Sequence, residues 1–198
     1  MLRFGWLAAV LASAAFGTPI TFTFTGTATG TLGTTSFTAS SYTVTSLADT
    51  SMVSLVGDTY EVTAISSSIS IADIAGPPLT FTDATFWSDP QGSGDILFGE
   101  LPDPTFDSGL LGITVIGQGL ETYNLQSSIG PLFSPIDFPT MFFDSFQNVS
   151  TSEGLLSLVA SDETFLATEA AVPEPGSILL AGIGLMGLAA LRARAFRR

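Results

Sequence analysis

Apolar and polar residues alternate from position 20 onward. Ile20, Phe22 and Phe24 are separated by Thr21, Thr23 and Thr25, the period-two pattern of a strand with one dry and one wet face. Gly26, Gly30 and Gly33 punctuate the Thr-rich stretch that follows, and residues 36–45 resume as strand. The apolar phase there shifts from odd (Phe37, Ala39) to even (Tyr42, Val44) positions, which predicts a β-bulge near Ser40. Tyr60, Val62 and Ala64 alternate, as do Ile69 and Ile71, and Gly76-Pro77-Pro78 closes that segment. Further strands are predicted over 79–87, 110–116, 121–126, 155–160 and 164–168. No helical apolar period is long enough to compete, so the pattern predicts an all-β domain, an antiparallel β-sandwich or jelly roll.

Residues 130–148 depart from that grammar. Pro131, Pro135 and Pro139 crowd a short apolar stretch, too many prolines for a central strand. The expectation is an apolar loop over one end of the fold, running on through Met141, Phe142, Phe143 and Phe146. It either caps the core or offers a contact surface to a partner or glycan.

The two ends follow different rules. Arg3, the apolar run from Phe4 and the small residues Ala12-Ser13-Ala14 have the order of a signal peptide, with Ala15-Phe16-Gly17 as a second cleavage candidate. The mature chain is expected to begin at Ala15 or Thr18, making 1–17 the signal peptide and 18–171 the ectodomain. At the other end Val172-Pro173-Glu174-Pro175 holds the backbone extended. An uncharged run over 178–191 then precedes Arg192, Arg194, Arg197 and Arg198. Its fourteen residues span roughly 21 Å as a helix, short of a roughly 30 Å hydrocarbon core, and arginine stems can snorkel across part of the difference. The expectation is a transmembrane helix over 177–191 with a cytoplasmic arginine tail over 192–198, and with everything before Val172 across the membrane.

This order of Val172-Pro173-Glu174-Pro175, Gly-rich apolar helix and terminal arginines resembles the PEP-CTERM sorting signal of Gram-negative, exopolysaccharide-producing bacteria. The same short region also goes by the name of ice-binding protein C-terminal domain. The resemblance implies that Pro173-Glu174-Pro175 is recognised by an exosortase, a membrane-embedded cysteine transpeptidase thought to cut there and release or re-anchor the upstream domain. It covers about an eighth of the chain, residues 172–198. It implies a route through the inner membrane to the cell surface or exopolysaccharide matrix, and leaves the role of residues 18–171 open.

Charge narrows that role. All five basic residues are arginines at positions 3, 192, 194, 197 and 198, and the chain has no Lys, His or Cys. Of its 18 acidic residues only Glu174 lies outside 18–171, so the ectodomain carries 17 carboxylates against no cationic side chain. Nucleic acid is excluded as a partner, because phosphate binding needs Lys and Arg. Cysteine nucleophiles, thiolate metal sites and disulfides are excluded with them. About 155 residues suffice for one domain with a core of its own.

Three sequence features touch on chemistry. Gly182-x-Gly184-x-x-Gly187 matches a dinucleotide-binding fingerprint but sits inside the apolar anchor, where small residues serve close helix contact instead. Residues 89–100 read as a Gly-rich acidic hairpin loop. They also place Asp89, Gly94, Ile96 and Glu100 at positions 1, 6, 8 and 12 of an EF-hand-like loop, so Asp89, Asp95 and Glu100 are candidate calcium ligands. Carboxylate pairs of glycosidase type need two acids about 5 to 9.5 Å apart, yet no acid stands in a recognisable motif. The reading is a non-catalytic surface or matrix protein with no required cofactor. The alternatives are a calcium-dependent carbohydrate-binding module and a carboxylate-based polysaccharide hydrolase.

Overall fold

A computed structural model describes residues 17–100, 110–114, 119–133 and 145–170. They form twelve strands: β1 Pro19–Leu32, β2 Thr35–Asp49, β3 Ser54–Val56, β4 Thr59–Thr63, β5 Ser66–Ile71, β6 Leu79–Thr80, β7 Thr85–Pro90, β8 Asp95–Glu100, β9 Leu110–Thr114, β10 Ile129–Phe133, β11 Ser145–Thr151 and β12 Gly154–Glu169. Two short 3₁₀ turns, Thr50–Met52 and Leu120–Thr122, are the only helical elements among the described residues. The all-β expectation therefore holds. Residues 1–16 of the expected signal peptide, the tail and residues 134–144 of the proline-rich stretch lie outside the described residues.

All pairing is antiparallel and divides into two sheets. One has seven strands in the order β10-β12-β1-β2-β5-β6, with β11 also on β12; the other has five in the order β3-β4-β7-β8-β9. β1 is the spine of the larger sheet. Its Ile20, Phe22 and Phe24 are fully buried, opposite Ala48, Ser46 and Val44 of β2 and Glu169, Ala167 and Phe165 of β12. Thr82 N donates to Ser150 O at 3.1 Å and Ser152 N to Thr80 O at 2.8 Å. These bonds tie the β6 end of the larger sheet back to β11, which covers a backbone edge that would otherwise stand open.

The main core is built from residues of both sheets. Trp87 of β7 is fully buried, its ring centroid 4.8 Å from Phe24, 5.0 Å from Phe22, 4.9 Å from Phe98 and 5.6 Å from Phe165. The aromatic cluster thus joins β1 and β12 of one sheet to β7 and β8 of the other, and rings of this size bring the largest apolar areas out of water. A polar thread crosses beside it. Ser67 Oγ of β5 donates to Ser46 Oγ of β2 at 2.7 Å and stands 2.6 Å from Thr85 Oγ1 of β7, all buried. With its own proton given to Ser46, Ser67 accepts from Thr85.

Several local expectations change. The bulge predicted near Ser40 lies at Thr38–Ala39, between the pairs Ala28↔Ser40 and Gly30↔Phe37, with Ala39 at φ 48. Gly26 and Gly30 do not interrupt β1. The strand runs through them, and a Cβ at Gly30 would meet the Cα of Leu158 at 2.8 Å as well as the Ser157 carbonyl, so glycine there serves close strand approach. Residues 155–160 and 164–168, read as two strands, are one, bulged near Asp162 at φ 57. The strand predicted over 121–126 is a 3₁₀ turn followed by loop, with Leu125 at φ 60. Conversely, Gly130, Pro131, Leu132 and Phe133, expected in a loop, belong to β10, which stands at the edge of its sheet, where a residue without an N–H is tolerated. Phe146, expected in the same loop, is a buried residue of β11 whose ring packs on Phe81 and Phe98.

Candidate functional site

The acidic segment 89–100 folds as a hairpin. β7 and β8 pair Thr85 with Glu100 and Trp87 with Phe98, and Gln91 to Gly94 form the turn, with Gly92 and Gly94 at φ 77 and 74. The turn is pinned from outside: Gln91 N donates to Asp58 O at 2.8 Å, Gln91 Nε2 to Tyr123 O at 2.7 Å and Gly92 N to Glu121 O at 3.3 Å. Residues 95–100, the second half of the calcium-loop reading, are therefore strand.

That strand separates the three candidate ligands. Asp89 lies at the turn end of β7 and Glu100 at the far end of β8, opposite Thr85. Four residues of strand rise put them roughly 13 Å apart along the hairpin. Asp95 begins β8 beside the turn and is the charged neighbour of Asp89. Among the described residues no three acidic side chains stand close enough together to hold a metal ion.

Each end of the hairpin instead holds a carboxyl group whose pKa is raised. Asp89 is fully buried, and neither carboxyl oxygen meets a hydrogen-bond donor among the described residues. Burial first, and then the charge of Asp95, push it up to about 7, because an ion without water or a partner costs more than a neutral acid. Tyr123 is raised as well, by burial and then by Asp89 and Glu169, and its hydroxyl donates to Ser127 O at 2.8 Å.

At the other end, Glu100 is pushed up to about 7 by burial, then by the charge of Asp83 and by a hydrogen bond with that carboxyl; the Ser150 amide pulls the other way. Asp83 was not among the sequence candidates. It lies two residues before Thr85, which pairs with Glu100 across β7 and β8, and no spacing in the sequence reports that register.

A third surface lies on the outer face of the larger sheet. Thr23 of β1, Thr45 of β2, Ser68 of β5 and Thr80 of β6 stand in one cross-strand row, and Thr164 of β12, Thr25, Thr43 and Ser70 in the next. All eight are at least partly exposed and none carries charge. Strand geometry spaces them about 4.8 Å across the sheet and about 6.7 Å along it. Leu47 and Leu166 flank these rows on the same face.

The sorting residues Val172, Pro173, Glu174 and Pro175 and the arginines 192, 194, 197 and 198 lie outside the described residues. The last described residue before them, Ala170, donates its N–H to Pro19 O at 2.8 Å, so β1 begins and β12 ends side by side at one end of the larger sheet. Residues 171–198 match the family model of the PEP-CTERM protein-sorting motif. The chain carries a PEP-CTERM sorting motif. No curated protein and no solved structure matches the chain. A PEP-CTERM motif implies export, a membrane-anchored sorting signal and processing by an exosortase. Among the described residues no helix is long and apolar enough to cross a membrane; the helix expected over 177–191 lies outside them.

Proposed function

We propose that this is an exported β-sandwich protein that an exosortase sorts to the cell surface or exopolysaccharide matrix, where it serves a structural or adhesive role without catalysis. The observation that carries the reading is the PEP-CTERM match at 171–198. Charge supports it: every basic residue lies outside 18–171, so an arginine-held tail and an all-acidic body suit opposite sides of a membrane. Two facing sheets around one core support the sandwich architecture. The absence of His, Lys and Cys from 18–171 leaves carboxylates as the strongest general acids or bases there, and of the two with raised pKa values Asp89 is fully buried and Glu100 half-buried.

The matrix partner that suits this body is a neutral polysaccharide. An anionic glycan would meet a body carrying 17 carboxylates, whereas the Ser/Thr rows on β1, β2, β5 and β12 supply hydroxyl donors and acceptors with no charge to desolvate. Deleting the host's exosortase should leave the protein in the inner-membrane fraction and deplete it from the surface; unchanged surface abundance contradicts the sorting reading.

A further inference from the structure

Residues 17–170 contain no Lys, Arg or His, so no side chain of the body can neutralise any of its carboxylates. One group outside the side chains can. If the leader is removed, the first residue of the mature chain gains an α-ammonium, and the fold fixes where that charge would stand.

Thr18 is already held at this end of the body. Its N–H donates to Thr50 Oγ1 at 2.9 Å, and Thr50 N donates back to Thr18 O at 3.1 Å. Asp49, the last residue of β2, lies beside them. One of its oxygens accepts from Ser51 N at 2.8 Å and Ser51 Oγ at 2.6 Å, and these bonds hold the carboxyl below its ordinary range, in the ionised form. Gly17 lies against this carboxylate so closely that a Cβ on it would overlap Asp49 Oδ1. Adding bond lengths, the nitrogen of Thr18 lies no more than about 6 Å from that oxygen. At that range opposite charges favour each other's ionised form. A carboxylate offers about four lone-pair sites, so the two Ser51 bonds do not exhaust it. Glu169 stands on the neighbouring strand opposite Ile20 and adds a second negative charge at the same end.

We propose that the leader is cut after Gly17 and that the α-ammonium of Thr18 becomes the body's one cation, held against Asp49 and bonded to Thr50. Cleavage then does more than free the chain. It supplies the only internal ion pair that the body can form, at the corner where β1 begins, β2 ends and β12 leaves for the sorting motif. Cleavage after Ala14 would place the charge three residues away and leave Gly17 wedged over Asp49. This inference rests on the export reading, because a retained leader keeps the ammonium at Met1.

The absence of lysine allows a direct test. In the whole exported protein the N-terminus is the sole primary amine, so an N-hydroxysuccinimide acetate reagent removes that one charge. Intact mass of the isolated protein should place the first residue at Thr18. Acetylation should lower the thermal midpoint by about 2 °C at low salt, the loss should disappear in 1 M NaCl, and Asp49→Asn should show no loss. Asparagine retains the cap on Ser51, so this variant removes charge alone. A processed N-terminus with no acetylation effect, or with an equal effect in Asp49→Asn, overturns the pairing and leaves export standing. A mass beginning at Ala15 overturns the cleavage point, and a retained leader removes export and pairing together.

Discussion

Asp89 and Glu100 both hold their protons to about pH 7, and the sign of the resulting pH dependence follows. An unfolded chain releases these protons near 3.8 and 4.5. Between those values and about 7 the folded state therefore binds more protons than the unfolded one, and stability falls as pH rises through that window. The loss is complete above about 7. For Asp89 alone it is at most on the order of 4 kcal/mol. Thermal melts should give a higher midpoint at pH 5 than at pH 8, and Asp89→Asn should raise the midpoint at pH 8 while leaving it little changed near pH 4. A midpoint that rises with pH would contradict the placement of these acids. The sequence signals that carboxylates matter between 89 and 100, since Asp, Gly and Glu recur there at calcium-loop spacing. It does not reveal that Ile96, Leu97 and Phe98 between them pair as strand and draw the acids apart. Nor does it signal Asp83, because its nearness to Glu100 depends on the β7–β8 register that sets Thr85 opposite Glu100.

Strands that alternate between a dry and a wet face were legible, and strands buried on both faces were not. Ile20, Phe22 and Phe24 announce β1, but β8 reads as a continuous apolar run because Leu97 packs with Phe86 on one face while Ile96 and Phe98 enter the main core on the other. The opposite error arose over 121–126. Tyr123 and Leu125 are buried and alternate with polar neighbours, yet the backbone turns, because alternation reports burial and not pairing. Glycine in β1 misled in a third way, since close strand approach and turning place the same letter. That distinction is testable. Gly30→Val forces a branched side chain onto the Ser157 carbonyl and Leu158 and should cost about 2 to 4 kcal/mol in urea denaturation. Gly33→Asn, at a turn with φ 56 and open space around it, should cost well under about 1 kcal/mol. Equal costs would mean that β1 and β12 are not as close as described.

A body with 17 carboxylates and no cationic side chain folds against its own charge. Hydrophobic burial around Trp87 and the backbone ladders must supply its stability, and screening should add to it. Raising NaCl from about 0.01 M to about 0.15 M shortens the Debye length from roughly 30 to 8 Å and should raise the thermal midpoint by several degrees; a midpoint that falls with salt would contradict the account. The same separation of charge underlies the proposed sorting, in which an acidic body crosses the membrane while an arginine tail stays behind. Intact mass of the protein isolated from the surface fraction, beside that from a strain lacking exosortase, tests this most directly. The account predicts a surface form that ends at the Pro173-Glu174-Pro175 region and a longer form retaining Arg198 when exosortase is absent. A surface form whose mass includes Arg198 in both strains would contradict it.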